Sequence, residues 1–73
     1  MTKHDNHYEL DQVDRKILDI LQVDGRASAS YIAEQIGMSV PSTSERIKKL
    51  KDGGIILGYQ AVIDPHRVGL DGL

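Results

Sequence analysis

The sequence predicts a small, mainly α-helical domain, in which one or two short β-strands follow three helices. Two observations predict this architecture. Apolar residues recur with helical spacing as far as Leu50, and residues that cap helices stand at each junction. After Gly53-Gly54 the pattern changes to short runs of β-prone residues. A chain of 73 residues forms one domain at most, and its small core leaves little room for a substrate cavity.

The first helix is predicted to follow Asp11, because aspartate caps helix N-termini well. Its apolar stripe consists of five residues at helical spacing: Val13, Ile17, Leu18, Ile20 and Leu21. Asp14 in the first turn suits the positive end of the helix dipole, and Asp24-Gly25 ends the helix. Residues 1–9 are polar and show no periodicity, so we expect them to form a disordered arm.

Two further helices are predicted, with only a short turn between them. Ser28 caps the second helix, and Gly37 stands where helices commonly end in the left-handed conformation. Ser39 caps the third helix, which covers about residues 39–51, and Pro41 lies in its first turn, where the missing N–H has no helical partner to lose. The inner side of the second helix is predicted to be Ile32, Ala33 and Ile36. That of the third is predicted to be Val40, Thr43, Ile47 and Leu50.

The segment after the third helix is predicted to be extended. Residues 55–57 and 59–63 are β-prone, but Gly58 alone is too short a loop to join them as a hairpin. We therefore expect a bent or bulged segment that pairs weakly, or with a partner chain, instead of a long wing. Asp64-Pro65 predicts a turn, and we expect residues 65–73 to be a linker.

The charge distribution draws attention to the third helix. The net charge of the chain is -2, which by itself argues weakly against a nucleic-acid partner. Residues 39–51, however, carry four basic residues against one acidic residue: Arg46, Lys48, Lys49 and Lys51 against Glu45. A basic stretch on an otherwise acidic domain is typical of a nucleic-acid footprint. A basic helix on its own is more often only a solvated surface.

The order of the predicted elements is that of a helix-turn-helix unit, here a winged one if the C-terminal strands form. Its two helices must cross closely, and the small side chain of Ala33 together with Gly37 in the turn allows this. The outer face of the third helix is then free to enter the major groove of DNA. On a helical wheel this face gathers Ser42, Glu45 and Lys49, flanked by Pro41, Arg46 and Lys48.

Several stretches resemble the N-terminal DNA-binding domain of the Lrp/AsnC (feast/famine) family of transcription regulators. They are LDQVDRKILDILQVDGRAS, YIAEQIGMS, ERIKKL and GGIILGYQAVIDPHRVG, in this order within residues 10–69. The resemblance implies an amino-acid-responsive regulator that binds double-stranded DNA as a homodimer or higher oligomer. It also implies an effector-binding domain, which we expect to be absent here. Residues 10–64 would then be the DNA-binding domain and residues 65–73 a linker, and this chain alone would be a monomer or a weak dimer.

We expect nine residues to contact DNA, on the basis of their positions and of the resemblance. They are Arg26, Ser28, Ser30, Ser39, Ser42, Thr43, Arg46, Lys48 and Lys49. Hydroxyl side chains bind bases or phosphates, and basic side chains bind guanine edges or phosphates. By resemblance, Arg46 matches the family's third-helix arginine, which is expected near the DNA backbone, and Lys51 departs from the family's usual Glu. Arg26 either touches phosphate or pairs with an acid of the first helix.

Other kinds of function find little support in the sequence. His4, His7 and His66 lack a suitably spaced further ligand, so we expect no metal and no cofactor. No serine has a recognisable catalytic base, so we expect no enzyme. The chain has no cysteine, its first residues lack the apolar stretch of a signal peptide, and no apolar run approaches the roughly 20 residues of a membrane span, so we expect a cytoplasmic protein.

Two alternatives concern how the predicted surfaces are used. Tyr59 could stack on bases, but we expect it to pack against the third helix. The whole domain could also be a protein–protein docking module that uses the same basic helix face and binds no nucleic acid.

Overall fold

The computed structural model describes residues 9–69, and these form three α-helices. Helix α1 spans Gln12–Val23, α2 spans Ala29–Ile36 and α3 spans Val40–Asp52. The prediction of three helices in this order is confirmed. The predicted arm, except its last residue, and the final residues 70–73 of the predicted linker lie outside the described residues. Within residues 9–69, no helix is long and apolar enough to cross a membrane.

Helix α1 begins with reciprocal hydrogen bonds between two aspartates. The backbone N–H of Asp14 donates to Asp11 Oδ1 at 2.8 Å, and the backbone N–H of Asp11 donates to Asp14 Oδ2 at 3.3 Å. This capping box satisfies N–H groups that the helix itself cannot pair. The prediction that Asp11 caps the first helix is confirmed.

The turn between α2 and α3 consists of three residues, 37–39. Gly37 has φ 74° and ψ 36°, in the left-handed region that glycine adopts without strain. Ser39 Oγ accepts a hydrogen bond from the backbone N–H of Ser42 at 3.2 Å, and Ser28 caps α2 in the same way through the N–H of Tyr31 at 3.0 Å. The predicted caps and the predicted left-handed glycine are confirmed.

The core contains one fully buried apolar residue from each helix: Ile17, Ile32 and Leu50. Burying an aliphatic side chain of this size contributes about 1.5–3 kcal/mol. Ala33 is 2% exposed, and its small side chain allows α2 and α3 to cross closely. The predicted inner side of α3 is corrected at one position. Val40 begins the helix and remains 44% exposed, so the buried stripe starts one turn later, at Thr43.

The chain after α3 is irregular as far as residue 69. The backbone N–H groups of Ile55 and Ile56 both donate to the carbonyl of Leu50, at 2.9 and 3.1 Å, and both side chains pack against the core. The predicted C-terminal strands are not confirmed, because residues 9–69 contain no strand. A strand needs a neighbouring strand for its N–H and C=O groups, and the described part of the chain supplies none.

The end of the described chain lies beside α1 and then turns. A Cβ added to Gly25 would lie 3.4 Å from Tyr59 Cδ1, so the Tyr59 ring lies at the end of α1. The prediction that Tyr59 packs against the third helix is therefore corrected. The predicted turn at Asp64-Pro65 is confirmed, since the N–H of His66 donates to Asp64 Oδ1 at 2.9 Å and residues 65–69 are turns.

Candidate nucleic-acid interface

One side of α3 presents three of the predicted contact residues together. Ser42, Arg46 and Lys49 follow each other at four and three positions, a spacing that aligns side chains on one side of a helix. They line one shallow depression, together with Met38, Pro41 and Glu45. Ser42 and Lys49 are exposed, whereas Arg46 is half-buried. This surface therefore offers a hydroxyl, a carboxylate and an ammonium group to a ligand from one side.

The two lysines of this region differ in their surroundings. Within residues 9–69, Lys49 forms no ion pair and no hydrogen bond through its side chain. Lys48 Nζ lies 2.9 Å from Asp52 Oδ2, one turn further along the helix, and this hydrogen bond raises the pKa of Lys48. Both partners of that pair are well exposed, so it is weak and can exchange for a phosphate.

Arg46 is bound to two carboxylates of α1. Its Nη1 donates to Asp11 Oδ2 at 2.5 Å and to Asp14 Oδ1 at 3.2 Å, and the Asp14 side chain is only 7% exposed. The backbone N–H of Asp14 and the Arg46 guanidinium hold the pKa of Asp11 below its ordinary value of 3.8. Hydrogen bonds to Asp11 and Asp14 in turn raise the pKa of Arg46. The arginine that the sequence placed near a DNA backbone therefore joins α3 to the start of α1.

Thr43 lies on the inner side of α3, and this corrects its predicted place among the DNA contacts. Its side chain is fully buried, and its hydroxyl donates to the carbonyl of Ser39 at 2.9 Å. The reason is its position on the helix, about 100° round from Ser42 and aligned with Leu50. Thr43 stabilises the first turn of α3, and in this conformation it cannot touch a duplex.

Two of the predicted DNA-contact residues lie on a different surface from the depression on α3. Arg26 and Ser28 line a depression at the end of α1, which Asp19, Asp24 and Tyr31 also border. Arg26 is exposed, and its side chain forms no ion pair within residues 9–69. Of the two roles predicted for it, pairing with an acid of α1 is thus not formed in the structure. The acidic border also makes this surface less attractive to phosphate than the one on α3.

The capping serines keep part of their hydrogen-bonding capacity. Ser28 and Ser39 each use an Oγ lone pair for a backbone N–H, which leaves the hydroxyl hydrogen able to donate to a phosphate oxygen. Both residues are exposed, as is Ser30. These three hydroxyls remain candidates, although the structure does not bring them into the depression on α3.

Glu45 is a residue that the predicted set lacks. It is exposed and borders the same depression as Ser42 and Lys49. A carboxylate can accept a hydrogen bond from the amino group of cytosine, while it repels phosphates. The helical wheel already places Glu45 on the outer face. Its negative charge sets it apart from the hydroxyls and cations that usually indicate DNA contact.

Within the part of the chain that the structure describes, no three His, Asp or Glu side chains lie close enough to hold a metal ion. No buried side-chain nitrogen or oxygen there lacks a hydrogen-bond partner. The polar groups that remain for a ligand are therefore those on the surface, above all along α3.

Comparisons with known proteins match these features. Residues 10–51 match the AsnC-type helix-turn-helix domain. A leucine-responsive regulatory protein of Rhizobium meliloti (strain 1021) is 43% identical over 63 residues, which cover 86% of this chain and 40% of that protein. The HTH-type transcriptional regulator FL11 of Pyrococcus horikoshii is 42% identical over 60 residues, 82% of this chain and 40% of that protein. The chain thus spans about 40% of the length of these curated relatives.

Solved structures share the fold. A transcriptional regulator of Neisseria meningitidis, solved as its L-Met complex, superposes with a TM-score of 0.80 at 36% identity, over 86% of this chain and 41% of that chain. LrpC of Bacillus subtilis superposes with a TM-score of 0.79 at 36% identity, over 88% of this chain and 46% of that chain.

Proposed function

The chain belongs to the family of AsnC-type helix-turn-helix domains, and from this premise we propose that it binds double-stranded DNA as the DNA-binding part of an Lrp/AsnC-type transcription regulator. Relatives named as a leucine-responsive regulatory protein and as an HTH-type transcriptional regulator support this role. The observation that carries the proposal is the exposed side of α3. Ser42 lies there together with Lys49, whose side chain has no partner within residues 9–69, while Thr43 and Leu50, about 100° further round the helix, are buried.

In this proposal α3 lies in the major groove, which is wide enough to admit a helix. Ser42 faces the base edges, and Glu45 beside it accepts from a cytosine amino group where the sequence provides one. Lys49 binds phosphate, and Lys48 does so after leaving Asp52. These contacts divide into one set that reads the sequence and another that holds the backbone.

Further backbone contacts are proposed around the two helix starts. The hydroxyls of Ser28, Ser30 and Ser39 and the guanidinium of Arg26 would bind phosphates that flank the major groove. Thr43 takes no part, since it is buried.

A single domain with so few contacts should bind weakly, near the non-specific range of about 10⁻⁴–10⁻⁶ M. We propose that a longer regulator of this type is a homodimer or higher oligomer. Two linked domains on two half-sites then bind more tightly through effective concentration. Its response to an amino acid belongs to a part of such a regulator outside this chain.

The test is a titration of labelled duplex with the 73-residue chain at several salt concentrations. Lys49→Ala should weaken binding to all sequences alike and reduce the slope of log K against log salt by about 0.9, the share of one phosphate contact. Lys16→Ala is the matched control, because Lys16 is an exposed lysine on α1. It should leave the slope unchanged.

Two results would contradict the proposal. Equal effects of the two lysine substitutions would show that α3 does not face the duplex. No detectable binding of the unaltered chain to any duplex at about 50 mM salt, where phosphate contacts are strong, would leave the docking of an acidic protein on the same basic face as the better interpretation.

A further inference from the structure

We infer that Arg46 is a positioning residue: by holding Asp11 and Asp14 it fixes the rotation of α3 against α1, and it aims Ser42 and Lys49 at DNA without contacting DNA itself. This inference rests on the proposed function. It departs from the expectation that Arg46 lies at the DNA backbone.

The starting observation is where the guanidinium lies. Arg46 stands one turn after Ser42 and one turn before Lys49, where the exposed side of α3 meets its buried side. A long basic side chain at such a position would ordinarily extend toward a phosphate. Instead, its Nη1 donates to one carboxylate at 2.5 Å and to a second at 3.2 Å, both on α1.

The burial of Asp14 argues that this arrangement persists on DNA. With Arg46 in place the Asp14 side chain is only 7% exposed, so its carboxylate is largely shielded from water. Moving the guanidinium to a phosphate would leave a desolvated carboxylate without a cation, which is strongly unfavourable. A phosphate would also offer one negative group in exchange for two carboxylates that already bind the same nitrogen.

The core sets which side of α3 faces inward, because Thr43 and Leu50 are buried there. The hydrophobic driving force is non-directional, so hydrogen bonds add a directional restraint on the exact rotation of the helix. With side chains, an α-helix has a radius of about 6 Å, so a rotation of about 20° moves the tip of a surface side chain by about 2 Å. That displacement is enough to separate a hydroxyl from a base edge. The directional bonds of Arg46 to a rigid, capped helix start prevent it.

The experiment compares Arg46→Gln with Arg46→Lys in duplex binding by the 73-residue chain. The inference predicts that both variants lose discrimination between the preferred and a random duplex by about tenfold, as for one mismatched base pair, while the salt slope stays unchanged. Lysine does not rescue discrimination, because its ammonium group sits on a shorter, flexible stem and does not reproduce the fixed position of Arg46 Nη1 between the two carboxylates. A salt slope that falls by about 0.9 in Arg46→Gln and recovers in Arg46→Lys would instead assign a phosphate contact and overturn the inference.

Asp11→Asn supplies a second variant, since asparagine caps helices as well as aspartate and preserves the start of α1. The positioning role predicts that this variant discriminates less well between the preferred and a random duplex. If Asp11 merely competed with DNA for Arg46, its removal would strengthen binding to every duplex and leave discrimination intact, which would overturn the inference.

A measurement without DNA separates this inference from the proposed function. Urea midpoints of Asp11→Asn, Arg46→Gln and the double variant form a cycle. We expect the double variant to unfold at nearly the midpoint of Arg46→Gln alone, because the Asp11 carboxylate is then already without its cation. Additive shifts would overturn the positioning role alone. Absence of duplex binding by the unaltered chain would overturn the proposed function, and with it the proposed DNA contacts of Ser42 and Lys49.

Discussion

Neighbouring hydroxyls on α3 show how strongly a single residue position decides the exposure of a side chain in this domain. Ser42 is exposed at the depression on α3, whereas Thr43 is fully buried and bonded to the carbonyl of Ser39. The 100° step between successive helical residues is the whole cause of the difference. The chemistry of a side chain is thus a poor guide to DNA contact unless its face of the helix is known.

Ser42→Ala is the prediction that belongs to the scale of a single residue. The substitution removes a hydrogen-bond donor and acceptor, but no charge, from the depression on α3. It should therefore alter the relative affinity for different bases at one position of the duplex by about fivefold, or about 1 kcal/mol. The salt slope should stay as it is. Selection of bound sequences from a random duplex pool measures this.

Ser44→Ala is the matched control for that selection. Ser44 is also an exposed serine of α3, but it lies outside the depression that Ser42 borders. The same selected sequences for the Ser42→Ala variant and the unaltered chain would refute a reading role for Ser42.

At the scale of elements, the start of α1 couples a helix cap to a contact with another helix. Asp11 accepts from the N–H of Asp14 and from Arg46 of α3. One side chain therefore stabilises the first turn of α1 and holds α3 as well. The other junctions are purely local, such as the left-handed Gly37 and the cap at Ser39.

The pH dependence of unfolding should reveal this coupling. The N–H of Asp14 and then Arg46 lower the pKa of the Asp11 carboxyl in the folded chain below 3.8. A carboxylate whose pKa is lowered on folding stabilises the fold fully above its unfolded pKa, and this stabilisation is lost as the pH falls through the folded pKa. The free energy of unfolding should therefore decrease below about pH 3.8 in part through Asp11.

Asp11→Asn should remove that part of the acid dependence, as measured by urea unfolding between neutral pH and about pH 2. Asp19→Asn, at an exposed position of α1 without side-chain partners in residues 9–69, is the control. If the two variants lost equal amounts of acid dependence, the bonds at Asp11 would not be its source.

At the scale of the whole molecule, stability rests on a small core. Only Ile17, Ile32, Leu50 and Ala33 are buried apolar residues among those described, and each helix contributes at least one of them. Small domains such as this one stand close to the limit of independent stability. A change in the core should therefore affect folding and DNA binding together.

Leu50→Ala tests this dependence. Removal of a fully buried leucine side chain lowers the free energy of unfolding by about 2–5 kcal/mol, against a total of about 5 kcal/mol for a domain of this size. We expect the variant to be largely unfolded by circular dichroism at 25 °C and to bind no duplex. Leu57→Ala, at a position 92% exposed, should change the free energy by less than about 0.5 kcal/mol. A folded Leu50→Ala variant would show that the core lies elsewhere.

The sequence by itself determined the three helices, their ends to within a residue, the turn at residues 37–39 and the side of α3 that carries Ser42 and Lys49. These features depend on groups within about four residues of each other, so a cap, a glycine or a helical period reveals them. The family resemblance rests on the same local patterns and extended them to a proposed DNA partner.

Only the tertiary structure decided the partners of Arg46, because they are 35 and 32 residues away in the chain. Helical periodicity shows which residues share a face, but not which neighbouring element will cover or bind them. The β-prone residues 55–63 illustrate the same limit. A strand forms only beside another strand, and the described part of the chain brings none to this segment.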